Sequence, residues 1–178
     1  MRTVLITGAL VGLLAPLHAT TLQQLSLDDM IRQSSEIVRG TVQCTGFGLR
    51  GSTLYTNYRV KVSEQWKGTS VLQLDFAVPG GFSNGIRQTY AGAPSLRDGQ
   101  EFVLFLWTSR SGLRQLIGLS QGLFNLTQLS SGQLLASRSI STEQMVDANG
   151  KPIDDTGFAM PVTDLRSRVA STLTGISK

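Results

Sequence analysis

Histidine is almost missing from this chain of 178 residues: the only one, His18, stands close to the N-terminus. The side chain whose ordinary pKa lies nearest neutrality is thus unavailable to the remainder. That removes the base of most hydrolase triads and a leading zinc ligand. Cysteine is as scarce, because Cys44 stands alone and no internal disulfide can form. It shares an alternating face with Val38 and Val42 and reads as a small buried hydrophobe, with no histidine at hand to activate it. Beyond the first twenty residues no apolar run is long enough to span a bilayer. Basic residues are scattered singly, without the run that marks a nucleic-acid arm, so nucleic acid is not an expected partner.

What is present begins with a leader-like segment. Met1-Arg2 makes a short positive start, Val4 to Ala15 is apolar, Pro16 breaks the run, and Ala19 is a small residue before Thr20. This is the three-part pattern of a secretory signal over residues 1–19. The apolar part would extend only about 18 Å as a helix, short of a roughly 30 Å hydrocarbon core. Removing 19 of the 178 residues leaves 159, suited to one domain with its own core, and loss of Arg2 takes the net charge from +4 to +3. The expected product is exported, to the periplasm or beyond the cell. Its mild positive charge suits an acidic partner or an ordinary soluble surface.

Residues 20–178 read as a single β-barrel-like domain, mainly β, with a short N-terminal helix and a C-terminal amphipathic helix. Ser26 is a good N-cap for a helix over Leu27 to about Ser35, with Asp28 and Asp29 at its positive end. Period-two alternation then places Val38, Gly40, Val42 and Cys44 on one face, with Gly46, Gly48 and Gly51 marking a turn. Tyr58, Val60 and Val62 form the apolar face of a second strand, and Leu72, Leu74, Phe76 and Val78 that of a third. Phe102 to Trp107 is apolar without a break, as in a strand covered on both faces. Strands over Leu113–Leu119, Gly122–Leu129 and Gln133–Ser139 complete a barrel core of about 36–139. Residues 140–178 read as a polar exposed loop over Met145–Met160, then a helix. Its packing stripe is Val162, Leu165, Val169, Leu173 and Ile176.

Several motifs invite chemistry. Gly118-Leu119-Ser120-Gln121-Gly122 fits the G-x-S-x-G elbow, but a strand rather than a helix follows and no histidine base is available. Two glycines flanking a β-turn is the expected reading, and no catalytic residue is assigned. Asp147, Asn149, Gly150, Asp154 and Asp155 offer oxygen ligands without EF-hand spacing, so no metal is expected, nor any cofactor. Asn125-Leu126-Thr127 fits a glycosylation acceptor but falls inside a predicted strand. The most distinctive loop runs from Gly80 to Tyr90. Gly80 and Gly81 would let a partner approach the backbone, while Phe82, Arg87 and Tyr90 supply grip. The plainer alternative is a long β-connection needing positive φ angles.

Ile37-Val38-Arg39-Gly40-Thr41-Val42, Tyr58-Arg59-Val60-Lys61-Val62 with Trp66-Lys67-Gly68, Pro79-Gly80-Gly81, Phe102-Val103-Leu104-Phe105-Leu106 and Gly118 to Gly122 occur in that order. In this the chain resembles exported bacterial proteins of unassigned function and is similar to netrin-like domains. These are OB-type barrels that include the tissue inhibitors of metalloproteinases. The resemblance implies a small antiparallel OB-like barrel. It does not bring over zinc chelation by an N-terminal cysteine, since the mature chain would start at Thr20.

The expected function is a non-catalytic binding or interaction module whose partner is a protein or a cell-envelope polymer. One alternative is a carboxylate hydrolase built on two of Glu36, Glu64, Glu101 and Glu143, which would need a separation of roughly 5–9 Å. Another is an OB-like domain binding polysaccharide or single-stranded nucleic acid.

Overall fold

The computed structural model describes residues 21–141 and 143–175. The leader reading, with His18, and the last stripe residue Ile176 lie outside them. In chain order the elements are β1 (Thr21–Gln23), α1 (Leu27–Gln33), β2 (Glu36–Arg50), β3 (Thr53–Lys67) and β4 (Gln73–Pro79). Next come β5 (Gly81–Ser83), β6 (Ile86–Gln88), β7 (Glu101–Thr108), β8 (Arg114–Leu116) and β9 (Leu123–Gln128). The last are β10 (Leu134–Arg138), β11 (Gln144–Val146), β12 (Pro152–Ile153), β13 (Phe158–Pro161) and α2 (Val162–Thr174).

Five strands close into a barrel. β2 pairs antiparallel with β3 and with β7, β3 with β4, and β8 seals the ring by pairing with β7 and, in parallel, with β4 at Ala77 and Gln115. The chain is thus mainly β, with an OB-like ring and two flanking helices. The strands of the ring all fall within residues 36–116 of the sequence, and β9, β10 and β13 extend the sheet outward from β7 rather than forming its wall.

One edge of β7 is shared. Leu106 to Thr108 pair with β8, whereas Phe102 to Leu104 pair with β9. Phe105 sits at the fork: its N–H donates to Gly122 O (2.8 Å) and its carbonyl accepts Ile117 N–H (3.0 Å). A Cβ on Gly122 would lie 2.7 Å from Phe105 O, so the glycine permits this close approach. The Gly118 to Gly122 motif is therefore the turn that splits β8 from β9. Ser120 lies in it with no helix following.

β7 divides two cores. Phe102, Leu104 and Leu106 enter the barrel interior with Val38, Val42, Tyr58, Val60 and Phe76. Val103 and Phe105 face the other way, against Ile31 of α1, Phe124 of β9, and Val162, Leu165 and Val169 of α2. The unbroken apolar run expected of a strand covered on both faces is thereby accounted for. α1 begins as expected, with Ser26 Oγ accepting Asp29 N–H at 3.1 Å. Asp28 then grips Arg168 of α2 through two bonds of 2.8 and 2.7 Å.

Several expectations are corrected. Gly46 and Gly48 do not turn the chain: β2 and β3 each run 15 residues, and the turn lies at Gly51-Ser52. Gly46 occupies a register shift after Cys44, a bulge that bends the strand and lets it continue. Leu72 does not join the apolar face of β4; it is 88% exposed, because it lies beyond the first ladder pair, Lys61 with Gln73. The strand expected over Leu113–Leu119 shortens to Arg114–Leu116. Met145–Met160 is not a loop. It holds β11, β12 and β13, and Met145 is buried beside β1, where Leu22 pairs with it in parallel register. Leu173 is exposed, so the packing stripe of α2 stops at Val169.

Candidate functional site

The β2–β3 hairpin outruns the barrel. Its proximal half forms barrel wall; its distal half, beyond Cys44 and Tyr58, projects from the ring. The segment after β4 folds onto this projection. β5 and β6 form a small hairpin closed by Asn84-Gly85, both with positive φ (50° and 77°), as a two-residue turn of primed type requires. The Gly80 to Tyr90 region is therefore a hairpin and not a long irregular connection.

The predicted site residues separate into two roles. Gly80 and Gly81 seat the hairpin: the Gly80 carbonyl accepts the Thr56 hydroxyl (2.8 Å), and Gly80 N–H donates to Leu54 O (2.7 Å). Gly81 has φ +143°, and a Cβ there would lie 2.7 Å from the Phe47 ring and 2.8 Å from Thr56 Oγ1. Gln88, on the same hairpin face, accepts Leu54 N–H (2.6 Å) and donates to Ser52 O (2.9 Å). With that face turned inward, the cross-strand pair Phe82 and Arg87 faces solvent, and both residues are exposed. Tyr90 lies against Gly80, with its hydroxyl 3.3 Å from Thr53 Oγ1.

Sequence reasoning missed two members, Phe47 and Leu49, which had been assigned to a turn. The visible signal was the continuing alternation Gly46-Phe47-Gly48-Leu49. Phe47, Leu49, Phe82, Ile86 and Tyr90 are between 40% and 64% exposed and supply five of eleven large exposed hydrophobic side chains among the described residues. Such a concentration sets this end apart from an ordinary surface, where exposed apolar residues are scattered singly. Its charge is one-sided: residues 45–57 and 76–97 contain no Asp or Glu, while Arg50 and Arg87 are exposed.

The carboxylates lie elsewhere and are engaged. Arg39 bonds Glu64 (2.7 Å) and Glu101 (3.0 Å), and Glu36 holds Arg114 (3.1 Å). The Trp66 indole N–H, with Arg39 and Arg166, keeps the Glu64 carboxyl below its usual range. Asp155, buried against Arg138, also accepts Ser141 and Gly157 N–H groups and is drawn down to about 2. Asp147 instead caps its own turn through Asn149 and Lys151 N–H groups. Lys67 caps α1 by donating to Ile31 O and Arg32 O, and burial lowers its pKa. These groups are engaged in holding structure together, with Glu64 and Glu101 bridged by the one guanidinium of Arg39.

An open groove of about 890 Å³ lies lower on the barrel wall, lined by residues including Thr41, Gln43, Arg59, Lys61 and Gln73. The guanidinium of Arg59 is already taken by both oxygens of Asp75 (2.7 and 2.9 Å). Arg59 is thus engaged within the wall, and Lys61 is the other cation of the groove. The distal end is a surface suited to recognition, with no nucleophile and base placed together on it. Comparison of the chain with protein-family models, curated proteins and solved structures gives no match.

Proposed function

We propose that this chain is an exported, non-catalytic binding module that engages a protein partner through the distal end of its β2–β3 hairpin and the β5–β6 hairpin laid on it. The observation that carries this reading is the concentration of Phe47, Leu49, Phe82, Ile86 and Tyr90 on two segments, 45–57 and 76–97, that contain no carboxylate. Aromatic and arginine side chains are those over-represented where proteins bind one another. Export rests on the leader pattern of residues 1–19.

The test is affinity capture from envelope extracts with the mature chain and with a Phe82→Ser/Arg87→Ser variant. Both positions are exposed, so the variant keeps the thermal transition of the parent. Its loss of a captured protein supports the reading, and an unchanged capture profile refutes it.

A further inference from the structure

We infer that the distal half of β2 is a docking edge for an extended peptide that alternates apolar and acidic residues and adds to the sheet as one more strand. This rests on the binding-module reading above and names the chemistry of the partner.

The geometry begins at Leu54, which pairs with Leu49. Leu54 N–H donates to Gln88 Oε1 and its carbonyl accepts Gly80 N–H, so both groups point away from β2. Leu49 and Leu54 are thus a non-hydrogen-bonded pair, and alternation makes Phe47 and Thr56 another. The main-chain groups of Phe47 and Leu49 accordingly face the opposite edge of β2. On that edge β7 pairs only from Glu36 to Thr41. Val42 is bonded to Gln100 and Gly99, and Cys44 N–H to Asp98 Oδ1 (2.7 Å). Beyond Cys44, no strand pairs with this edge among the described residues, so Thr45 to Arg50 present an unfilled ladder.

The side chains specify what would fill it. Phe47 and Leu49 share one face and meet apolar residues of an incoming strand. Gly46, Gly48 and Arg50 share the other, where two glycines leave space and Arg50 calls for a carboxylate. An alternating apolar and acidic strand satisfies both faces. Asp98 lies at the inner end of this edge, where its carboxylate accepts Cys44 N–H. A membrane surface fits less well, since open N–H and C=O groups go unsatisfied in hydrocarbon. A second copy of the chain fits less well too, because a two-fold pairing of Phe47 with Leu49 sets each Arg50 opposite Gly46, with no carboxylate to meet it.

The probe is an acetylated peptide of about seven residues alternating valine and glutamate, the usual length of a strand. It is titrated against the mature chain by calorimetry. Saturable binding is expected, and N-methylation of the amides facing β2 should weaken it at least tenfold. Leu49→Pro removes the outward N–H without touching the β3 ladder and should also weaken binding at least tenfold, whereas Leu49→Val should not. Arg50→Glu should lose the glutamate peptide and gain its lysine counterpart.

Equal affinity for the methylated peptide would overturn strand addition. So would sedimentation with phosphatidylglycerol vesicles without peptide binding, or a dimer in solution. Peptide that fails to bind while Phe82→Ser/Arg87→Ser still loses its captured protein sinks this inference alone. Failure of both removes the binding-module reading as well.

Discussion

β7 and the distal half of β2 are both strands with large apolar residues, yet they meet opposite fates. Phe102 to Leu106 of β7 are at most 2% exposed, whereas Phe47 and Leu49 of β2 are 48% and 64% exposed. Composition does not separate them; cover does. β7 has the barrel interior on one face, the helices on the other, and strands along both edges. Distal β2 has β3 on one edge, a small hairpin on part of one face and, among the described residues, no strand on its second edge. An apolar strand left half-covered in this way is what singles out this end as the proposed docking surface.

Substitutions should sharpen the contrast. Phe105→Ala empties a fully buried position packed 5.2 Å from the Phe124 ring, and should cost about 3–5 kcal/mol in urea unfolding. A cost below about 1 kcal/mol would show that the helical flank contributes little. The Asp155–Arg138 clasp predicts an intermediate effect. Because folding draws the Asp155 carboxyl from 3.8 down to about 2, its stabilisation is present above 3.8 and fades as pH falls toward 2. The amount lost is roughly 2 kcal/mol, and an Arg138→Met/Asp155→Leu variant should lack that portion of the acid dependence. The smallest effect belongs to the distal strand. Leu49→Thr should shift stability by less than about 0.5 kcal/mol, and a larger loss would mean that this end is core.

Much of the fold was legible because it rests on local periodicity. The unbroken run in β7, the alternation of Tyr58, Val60 and Val62, and the steps Val162, Leu165 and Val169 each pointed to the element that formed. What escaped depends on partners distant in sequence. Gly46 reads as a turn residue until its register against Asn57 shows a bulge. Met145 reads as loop until β1, more than a hundred residues earlier, lies beside it. Leu72 carries the right period but stands just before the first β3–β4 ladder pair, where its side chain is uncovered. At the candidate site, Phe82, Arg87 and Tyr90 could be singled out by residue type. Phe47 and Leu49 were hidden by their glycine neighbours.

Gln121 is a polar side chain only 1% exposed, set in the turn between β8 and β9. Its Oε1 accepts Leu25 N–H (2.8 Å) and its Nε2 donates to Gln23 O (2.9 Å). One carboxamide thereby imitates a peptide unit and stands in for a neighbouring strand where the backbone supplies none. Being neutral at every pH, this tether holds the first described residues to the body even in acid, where the Asp155 clasp lets go.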